Sequence, residues 1–361
     1  MAPKINLHFN TIIHMKKILI LVIVFLFIGC KTKSTSSNTV YTINNKSDYF
    51  TIAFGSCDNQ EIKNELWEAI DANSHSVWIW GGDNVYSDTE DMTVLKANFE
   101  KQKQDTSYLN FIQNKTVLGT WDDHDYGQND GGTDYKFKKE SQKYLFNFLN
   151  TPKNAPERKR DGVYNSRNFL VGSNQIKVIV LDSRYFRTSL TKSTDPEKRF
   201  QPNKYGEGTL LGDTQWKWLE NELNSSKAQF NVIVSSIQFL SNEHGFECWG
   251  NFPHEVERLE NLIISSKAKG TFLLSGDRHI ALFSTKTIPG LSYPLVDFTS
   301  SGLTHTYTGY SGEPNPYLEG NVVTELNFGI LKFDFENNSV LMEIRGKENR
   351  LLGSFTQNYN K

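Results

Sequence analysis

Short apolar runs alternate with amphipathic stretches from about residue 50 to residue 275. The apolar runs have the length of buried strands, and they span residues 50–54, 77–80, 116–120, 176–181, 230–235 and 271–274. Between the runs, apolar residues recur at helical spacing, which predicts helices over residues 62–70, 92–114 and 137–149, from the Asp213-Thr214 cap onward, and around 256–263. This alternation predicts an α/β layered fold whose strands are largely buried.

The pattern changes after about residue 285, where the helical spacing stops. Apolar runs at 291–299, 329–335 and 340–344 predict strands that extend a second sheet packed on the first. Two polar insertions, 151–160 and 188–208, are predicted as surface loops. The second insertion is long enough to be a binding loop or a lid.

The first 48 residues have the pattern of a leader and a tether. Lys16-Lys17 precede an apolar run at 18–28 and then Gly29-Cys30, which is typical of a secretory signal and too short to span a bilayer comfortably. The break before Cys30 resembles the lipobox of bacterial lipoproteins, which implies lipidation at Cys30. We therefore predict a signal peptide at 1–30, with Met15 as a second candidate start. A flexible tether follows at 31–48, and the catalytic domain occupies 49–361.

The alternative for this leader is an uncleaved membrane anchor. In either case the domain lies outside the cytoplasm, in the periplasm or on the cell surface, attached to the membrane.

The composition of the chain sets two limits on its function. Hydrophobic residues make up 37% of the chain and aromatic residues 13%, enough for a sizeable core, and the net charge of −2 gives no footprint for specific nucleic-acid binding.

Four polar turns directly follow predicted strands. They are Gly-Ser-Cys-Asp at 55–58, Gly-Gly-Asp-Asn-Val-Tyr at 81–86, Trp-Asp-Asp-His-Asp-Tyr-Gly at 121–127 and Ser-Gly-Asp-Arg-His at 275–279. Open α/β sheets bind ligands at the carboxyl ends of their strands, so these turns are expected to converge. A mixture of thiolate, phenolate, imidazole and carboxylate donors suits a transition metal beside a harder divalent ion.

Each turn has candidate ligands. Asp83 can bridge two cations through its two oxygens, and Tyr86 can return to the same side of the turn as Asp83. Asp277 and His279 alternate, so their side chains share one face of an extended segment. Cys57 is a further ligand candidate, although a disulfide with Cys248 is the alternative in an oxidising compartment.

The turn at 121–127 places three carboxylates around one imidazole. Asp123 can complete a second metal site, and two metals a few ångströms apart can clamp a phosphoryl displacement. His124 is positioned to protonate a leaving oxygen or to bind phosphate, with Asp125 orienting its ring. The alternative is a solvated acidic loop.

Arg184 and Arg278 lie in motif turns. Their guanidinium groups can donate two hydrogen bonds to phosphate oxygens, or can instead form an ion pair with an acid.

The order of these motifs resembles the PhoD-like alkaline phosphatases and phosphodiesterases of the calcineurin-like metallophosphoesterase superfamily. Two further motifs contribute to the resemblance, Leu-Asp-Ser-Arg at 181–184 and Leu-Gly-x-x-Gln-x-x-Trp-Leu at 211–219. The resemblance runs from about residue 50 to residue 283. It implies a four-layer αββα sandwich of the metallophosphoesterase type, within the α/β class.

The family also implies a metal set. It holds Fe³⁺ through cysteine, tyrosine, aspartate and histidine, with Ca²⁺ alongside. Transferred by motif, the iron ligands are Cys57, Asp83, Tyr86 and His279, and the second-metal ligands are Asp83, Asp123 and Asp277, with Asn129 as a weaker candidate. A different dinuclear divalent pair is the alternative. His124 resembles the histidine of the superfamily's Asn-His-Asp/Glu motif, and Asp123 stands where asparagine is usual.

The chain departs from the founding family members at its start. Those enzymes carry a twin-arginine signal and an additional N-terminal β domain, whereas this sequence has a lipobox and reaches its catalytic domain almost at once. The expected activity is hydrolysis of a small-molecule or lipid phosphate mono- or diester by a metal-bound hydroxide. The alternatives are a ligand-binding lipoprotein without catalysis and a hydrolase of the same fold acting on another ester.

Overall fold

The structure is a computed structural model that describes residues 40–43 and 50–359. The predicted signal peptide, Cys30 and most of the predicted tether lie outside these residues. The strands are β1 (Val40–Ile43), β2 (Phe50–Gly55), β3 (Val77–Gly81), β4 (Thr116–Thr120), β5 (Asn165–Val171), β6 (Asn174–Val180), β7 (Thr191–Lys192), β8 (Phe200–Gln201), β9 (Phe230–Val234), β10 (Thr271–Ser275), β11 (Ala281–Lys286), β12 (Leu295–Ser300), β13 (Leu318–Val323), β14 (Phe328–Asp334), β15 (Ser339–Arg345) and β16 (Leu351–Asn358).

The helices cover fewer residues than the strands. They are α1 (Trp67–Asp71), α2 (Met92–Gln104), α3 (Thr106–Phe111), α4 (Asp123–Tyr126), α5 (Lys138–Phe148), α6 (Gly212–Asn224) and α7 (Pro253–Ser266). Within the described residues, none of the helices combines the length and the apolar character needed to cross a membrane.

The described strands form two large sheets and one small hairpin. The order of the first sheet is β1-β5-β6-β9-β10-β12-β11-β13, and that of the second is β16-β15-β14-β2-β3-β4; β7 and β8 pair with each other. Strand β1 lies within the predicted tether and pairs in parallel with β5. The runs after residue 285 contribute to both sheets, because β12 joins the first and β14–β15 join the second.

Alternation along the central strands explains why both sheets are covered. In β3, Val77 and Ile79 pack into the core between the sheets, while Trp78 and Trp80 point the other way, into a cluster shared with α1, α2, α3 and α5. In β10, Phe272 and Leu274 enter the inter-sheet core, while Leu273 packs with α6 and α7. Strands buried on both faces appear in sequence as continuous apolar runs. The result is the helix–sheet–sheet–helix sandwich that the family resemblance implies, within the α/β class that the sequence pattern predicts.

Two helix predictions needed correction. Residues 62–70 do not form one helix: α1 begins at Trp67, and Ile62 is 45% exposed. The helix predicted at 92–114 is divided in two by Asp105, whose side chain accepts a hydrogen bond from Tyr108 N at 2.8 Å and caps α3. An Asp at this position favours starting a new helix over continuing the old one.

The motif turns meet because several parallel strands end at the same edge of the sandwich. Strands β2, β3 and β4 run parallel in one sheet, and β6, β9, β10 and β12 run parallel in the other. Hydrogen bonds join their ends, including Cys57 N to Gly82 O at 3.3 Å and Gly276 N to Ser236 O at 2.9 Å. The motif turns therefore lie side by side and form one continuous surface at this edge of the sandwich.

Candidate metal centre

Four candidate ligands of different chemical character, one of them Asp83, lie close together. The Cys57 Sγ lies 3.4 Å from Asp83 Oδ2, and the Tyr86 hydroxyl lies 3.3 Å from the same oxygen. The Tyr86 hydroxyl is also 3.0 Å from His279 Nε2. The ligand atoms of Cys57, Asp83 and His279 all lie within 4.8 Å of one another. The four residues predicted as iron ligands are therefore brought together.

A second group of acids adjoins the first through Asp83. Ligand atoms of Asp83, Asp123 and His124 lie within 4.8 Å of one another, and so do those of Asp122, Asp123 and Asp277. Asp83 thus belongs to both the mixed-donor group and the carboxylate group, as expected of a bridging ligand. Asn129 is exposed at the rim of the same cavity, beside Asp130.

The electrostatics of these groups fit bound cations. Burial raises the pKa of Asp83 and of Asp277 well above the usual value, with further contributions from neighbouring carboxylates. Burial, followed by the charge of Asp83, also raises the pKa of the Cys57 thiol. Buried acids this close together repel one another unless they are protonated or bound to cations. A donor set of one thiol, one phenol, one imidazole and several carboxylates fits a pair of metal ions.

His279 is suited to metal ligation. Burial, followed by the proximity of His305, lowers the pKa of His279 to about 3, so its imidazole is neutral and can offer a lone pair. The backbone N–H of His279 donates to Ser301 Oγ at 2.9 Å, and this hydroxyl lies 3.1 Å from Cys57 Sγ. One serine thus connects two of the candidate ligands.

His124 is held beside the carboxylates rather than among the soft donors. Burial lowers its pKa, but Asp83, Asp88 and Asp123 outweigh this effect and raise the pKa to about 10. Its Nδ1 lies 2.5 Å from Asp88 Oδ2, and its ring centroid lies 4.3 Å from that of Tyr86. Asp88 therefore orients the His124 imidazole, and the neighbouring carboxylates favour its protonated form.

The role predicted for Asp125 needs correction. Its carboxylate accepts hydrogen bonds from Asn84 N at 3.1 Å and from Asp122 N at 2.7 Å, so it stabilises the backbone of the turn. The residue that pairs with the imidazole is Asp88. Sequence reasoning missed Asp88 because the motif after β3 ends at Tyr86, two residues before Asp88.

The two predicted phosphate-binding arginines have different surroundings. The Arg184 side chain is 0% exposed and pairs with Asp122 and Glu247, so the structure supports its ion-pair alternative over contact with a substrate. Arg278 pairs with Glu313 at 2.6 Å, and its guanidinium lies 4.0 Å from the centroid of the Phe246 ring. Arg278 borders the cavity and can face a ligand.

Cys57 and Cys248 are both free and buried, so the disulfide alternative is not supported.

The loop after β12, residues 301–305, is a further part of the site that sequence reasoning missed. The backbone N–H of Thr304 donates to Cys57 O at 3.3 Å, and the His305 ring centroid lies 4.4 Å from that of His279. A strand-like run followed by Ser-Ser-Gly and a histidine is the signal that would have identified it.

A cavity of about 290 Å³ opens above these groups. Its lining combines the acidic turn, the turn after β10 and three more distant loops: Asp123, His124, Asn129, Asp130, Arg199, Phe246, Glu247, Asp277, Arg278, His279 and Tyr307. The cavity therefore places a histidine and two arginines around a group of carboxylates.

Comparison with known proteins gives consistent matches. A family model described as PhoD-like phosphatase matches residues 89–313. Alkaline phosphatase D of Bacillus subtilis (strain 168) is 31% identical over 121 residues, which are 31% of this chain and 21% of that protein. The aligned segment thus spans about a fifth of that relative's length.

Solved structures extend the likeness to the fold. The structure of PhoD superposes with a TM-score of 0.67 at 18% identity, covering 86% of this chain and 70% of that one. A dimetal phosphatase from Danio rerio superposes with a TM-score of 0.52 at 10% identity, covering 86% of this chain and 99% of that one. Both likenesses confirm the predicted four-layer fold.

Proposed function

Because this chain belongs to the PhoD-like phosphatase family, we propose that it is a metal-dependent hydrolase of phosphate mono- or diesters. One observation carries the proposal: Asp83 is shared by a mixed-donor group and a carboxylate group, with the imidazole of His124 beside both. This arrangement suits two cations of different hardness next to a proton donor.

The proposed metal pair is Fe³⁺ and Ca²⁺. Cys57, Tyr86 and His279 would hold iron together with Asp83, since thiolate and phenolate suit a trivalent transition metal. Asp83, Asp123 and Asp277 would hold the harder ion, because calcium takes oxygen ligands. When bound, two such ions polarise a phosphoryl oxygen and lower the pKa of a water nucleophile.

The chain's own residues supply positioning and a proton. The His124 imidazolium can donate a proton to the leaving oxygen through Nε2, because Asp88 pairs with Nδ1 and the described residues supply no hydrogen-bond partner for Nε2. Arg278, held by Glu313 and the Phe246 ring, can offer N–H groups to a non-bridging oxygen. The buried pair of Arg184 with Asp122 stabilises the turn that carries Asp123 and His124.

An assay on chromogenic esters tests the proposal. Purified protein should hydrolyse p-nitrophenyl phosphate, bis(p-nitrophenyl) phosphate or both, and a chelator should abolish the activity. Hydrolysis of a nitrophenyl sulfate or carboxylic ester in place of both phosphates would favour another ester class. If the protein hydrolyses none of these esters, a binding role without catalysis is favoured.

The location of the enzyme is a separate proposal. We infer from Ile28-Gly29-Cys30 that the mature protein is lipidated and tethered outside the cytoplasm, where it meets small-molecule or lipid phosphate esters. Cell fractionation of Cys30→Ala should show loss of processing and release from the membrane. Membrane retention equal to wild type would contradict lipidation at this residue.

A further inference from the structure

The loop predicted at 188–208 is docked rather than free. Its two ends are joined by Thr188 N donating to Thr209 O at 2.9 Å. Its far strand, β8, is joined to the loop that carries Phe246 and Glu247, since Phe200 N donates to Gly245 O at 2.8 Å. A third backbone bond runs from Asn203 N to Asn251 O at 2.9 Å. The loop is therefore a fixed arm beside the cavity, not a hinged lid.

This arm carries Arg199 into the lining of the cavity. The Arg199 side chain is 46% exposed, and its Nη2 pairs with Asp130 Oδ2. The two deeper arginines cannot replace it, because the side chains of Arg184 and Arg187 are 0% and 3% exposed and both pair with Glu247. Arg199 is thus a solvent-accessible guanidinium held at a defined place.

The geometry of that pair leaves donors available. Asp130 forms an ion pair with Nη2. Within the described residues, Nε and Nη1 of Arg199 have no protein acceptor. Asp130 is itself placed by the site, since its N–H donates to Asp123 Oδ2 at 2.7 Å. A guanidinium fixed along one edge with its other donors free is well suited to bind an anion.

We propose that Arg199 binds a second phosphoryl group, so that the preferred substrates carry a phosphate adjoining the one that is cleaved. This inference rests on the proposed function and narrows its substrate class. Asp130, the partner of Arg199, adjoins Asp123, which belongs to the carboxylate group of the centre. The free donors of Arg199 are therefore placed for a group attached to the reacting phosphate.

Adenosine mono- and diphosphate make a matched pair of substrates, because they differ by one phosphoryl group. Phosphate release from each would be measured for wild type, Arg199→Gln, Arg199→Lys and Lys204→Gln. Lys204 is a charge-matched control on the same arm, with a side chain 87% exposed. Arg199→Gln should lower kcat/KM for the diphosphate about 10- to 100-fold more than for the monophosphate. The ratio of kcat/KM for the diphosphate to that for the monophosphate should lie, for Arg199→Lys, between the ratios of wild type and Arg199→Gln. Lys204→Gln should leave this ratio at the wild-type value.

Other outcomes overturn the proposal. Equal losses on both substrates would mean that Arg199 acts only by holding Asp130, and unchanged kinetics would mean that it has no role. If wild type hydrolyses neither the two nucleotides nor the nitrophenyl esters, the proposed function fails, and this result is distinct from a failure of the assignment to Arg199. The same variants would then be titrated with both nucleotides by calorimetry. Tighter binding of the diphosphate that Arg199→Gln abolishes supports the assignment, and equal binding of the two nucleotides contradicts it.

Discussion

At the scale of single residues, the site is built from backbone conformations that side chains rarely adopt. Cys57, Asp83, Asp277 and His279 have φ values of 62°, 51°, 71° and 54°, in the left-handed region. Such conformations cost about 1–3 kcal/mol each and persist where the surrounding structure imposes them. All four are candidate metal ligands. The strain therefore coincides with the donors that the turns must aim inward.

His124→Ala should separate chemistry from metal binding. Loss of a general acid lowers turnover by about 10²–10⁴. The loss should be largest for an alkyl phosphate and smaller for p-nitrophenyl phosphate, whose leaving group needs little protonation. Metal content should stay near that of wild type, whereas Asp83→Ala should lose both metal and activity. Kinetics on the two esters together with metal analysis are the measurements.

Asp88→Asn is the matched variant for this test, since it keeps the shape of the partner of the imidazole but removes its charge. It should raise the preference for nitrophenyl esters less than His124→Ala does. It should also shift the alkaline limb of the pH–rate profile to lower pH, because Asp88 helps to raise the pKa of His124. Equal losses of His124→Ala on good and poor leaving groups would instead make His124 a phosphate ligand or a structural residue. Activity equal to wild type on every ester would place the active site elsewhere.

His75, which lies just before β3 at the end opposite the motif turn, should make stability depend on pH. Burial, followed by the charge of Lys115, lowers the pKa of His75 to about 4. Between about pH 6.5 and pH 4 the unfolded chain binds a proton here that the folded protein does not, so the free energy of unfolding falls as the pH falls. The loss reaches about 3 kcal/mol below pH 4.

His75→Phe removes this acid-dependent loss. The stability of the variant relative to wild type, measured by denaturant unfolding, should therefore rise from pH 7.5 to pH 5. The value at pH 7.5 reports packing alone and serves as the reference. A difference that does not change with pH would show that His75 is protonated equally in the folded and unfolded states.

At the scale of elements, the convergence of turns depends on close backbone approach. Gly82 has φ +104°, and a Cβ there would lie 2.8 Å from the Cβ of Asp122 and 2.9 Å from that of Ser236. Asp83 follows directly. Any side chain at position 82 would therefore push the turn that carries Asp83 away from the turn that carries Asp122 and Asp123.

Gly82→Ala should consequently lose metal and activity together with stability. Gly172→Ala is the control, because Gly172 has φ +61° but a Cβ added there would meet nothing within 4 Å. The control should cost about 1 kcal/mol from backbone strain alone, with metal content unchanged. Gly82→Ala should cost several kcal/mol, as overpacking adds to the strain. If the two variants retain equal amounts of metal, close approach at Gly82 does not position the ligands.

The sequence predicted the strands that carry the ligands because these strands are buried on both faces and appear as unbroken apolar runs. It did not predict β5, in which Asn165, Ser166 and Arg167 are buried polar residues. Their partners are distant: Ser166 Oγ donates to Glu222 at 2.8 Å, and Arg167 pairs with Glu157. Pattern reasoning cannot recognise a strand whose polar side chains are satisfied by residues from elsewhere in the fold.

The same distinction applies to the site. Candidate ligands within one motif, such as Asp83 with Tyr86, could be predicted to lie together from their spacing. The pairing of His124 with Asp88 and the burial of Arg184 between Asp122 and Glu247 depend on how separate turns meet. Glu247 stands in a segment without any motif, so only the folded structure identifies it as the acid that holds two arginines.

At the scale of the whole molecule, the buried acidic residues are concentrated at one edge of the sandwich. The net charge of −2 is small, yet buried acids crowd one end of both sheets. Burial raises the pKa of Asp83 and Asp277 well above the usual value, so ionising both without cations would oppose folding. Metal binding is therefore expected to couple the two sheets and to stabilise the entire domain.

Removal of metal should lower the melting temperature of the whole domain. At a free metal concentration of about 1,000 times Kd, binding contributes about 4 kcal/mol, which corresponds to on the order of 5–10 °C for a domain of this size. The loaded protein should contain iron and calcium and be coloured by charge transfer from Cys57 or Tyr86, and a chelator with a reductant should bleach it. Asp83→Ala is the control, because chelation should shift its melting temperature much less. A colourless, fully active protein that contains only zinc would contradict the metal assignment, and a melting temperature unaffected by chelation would contradict the stabilising role of the cations.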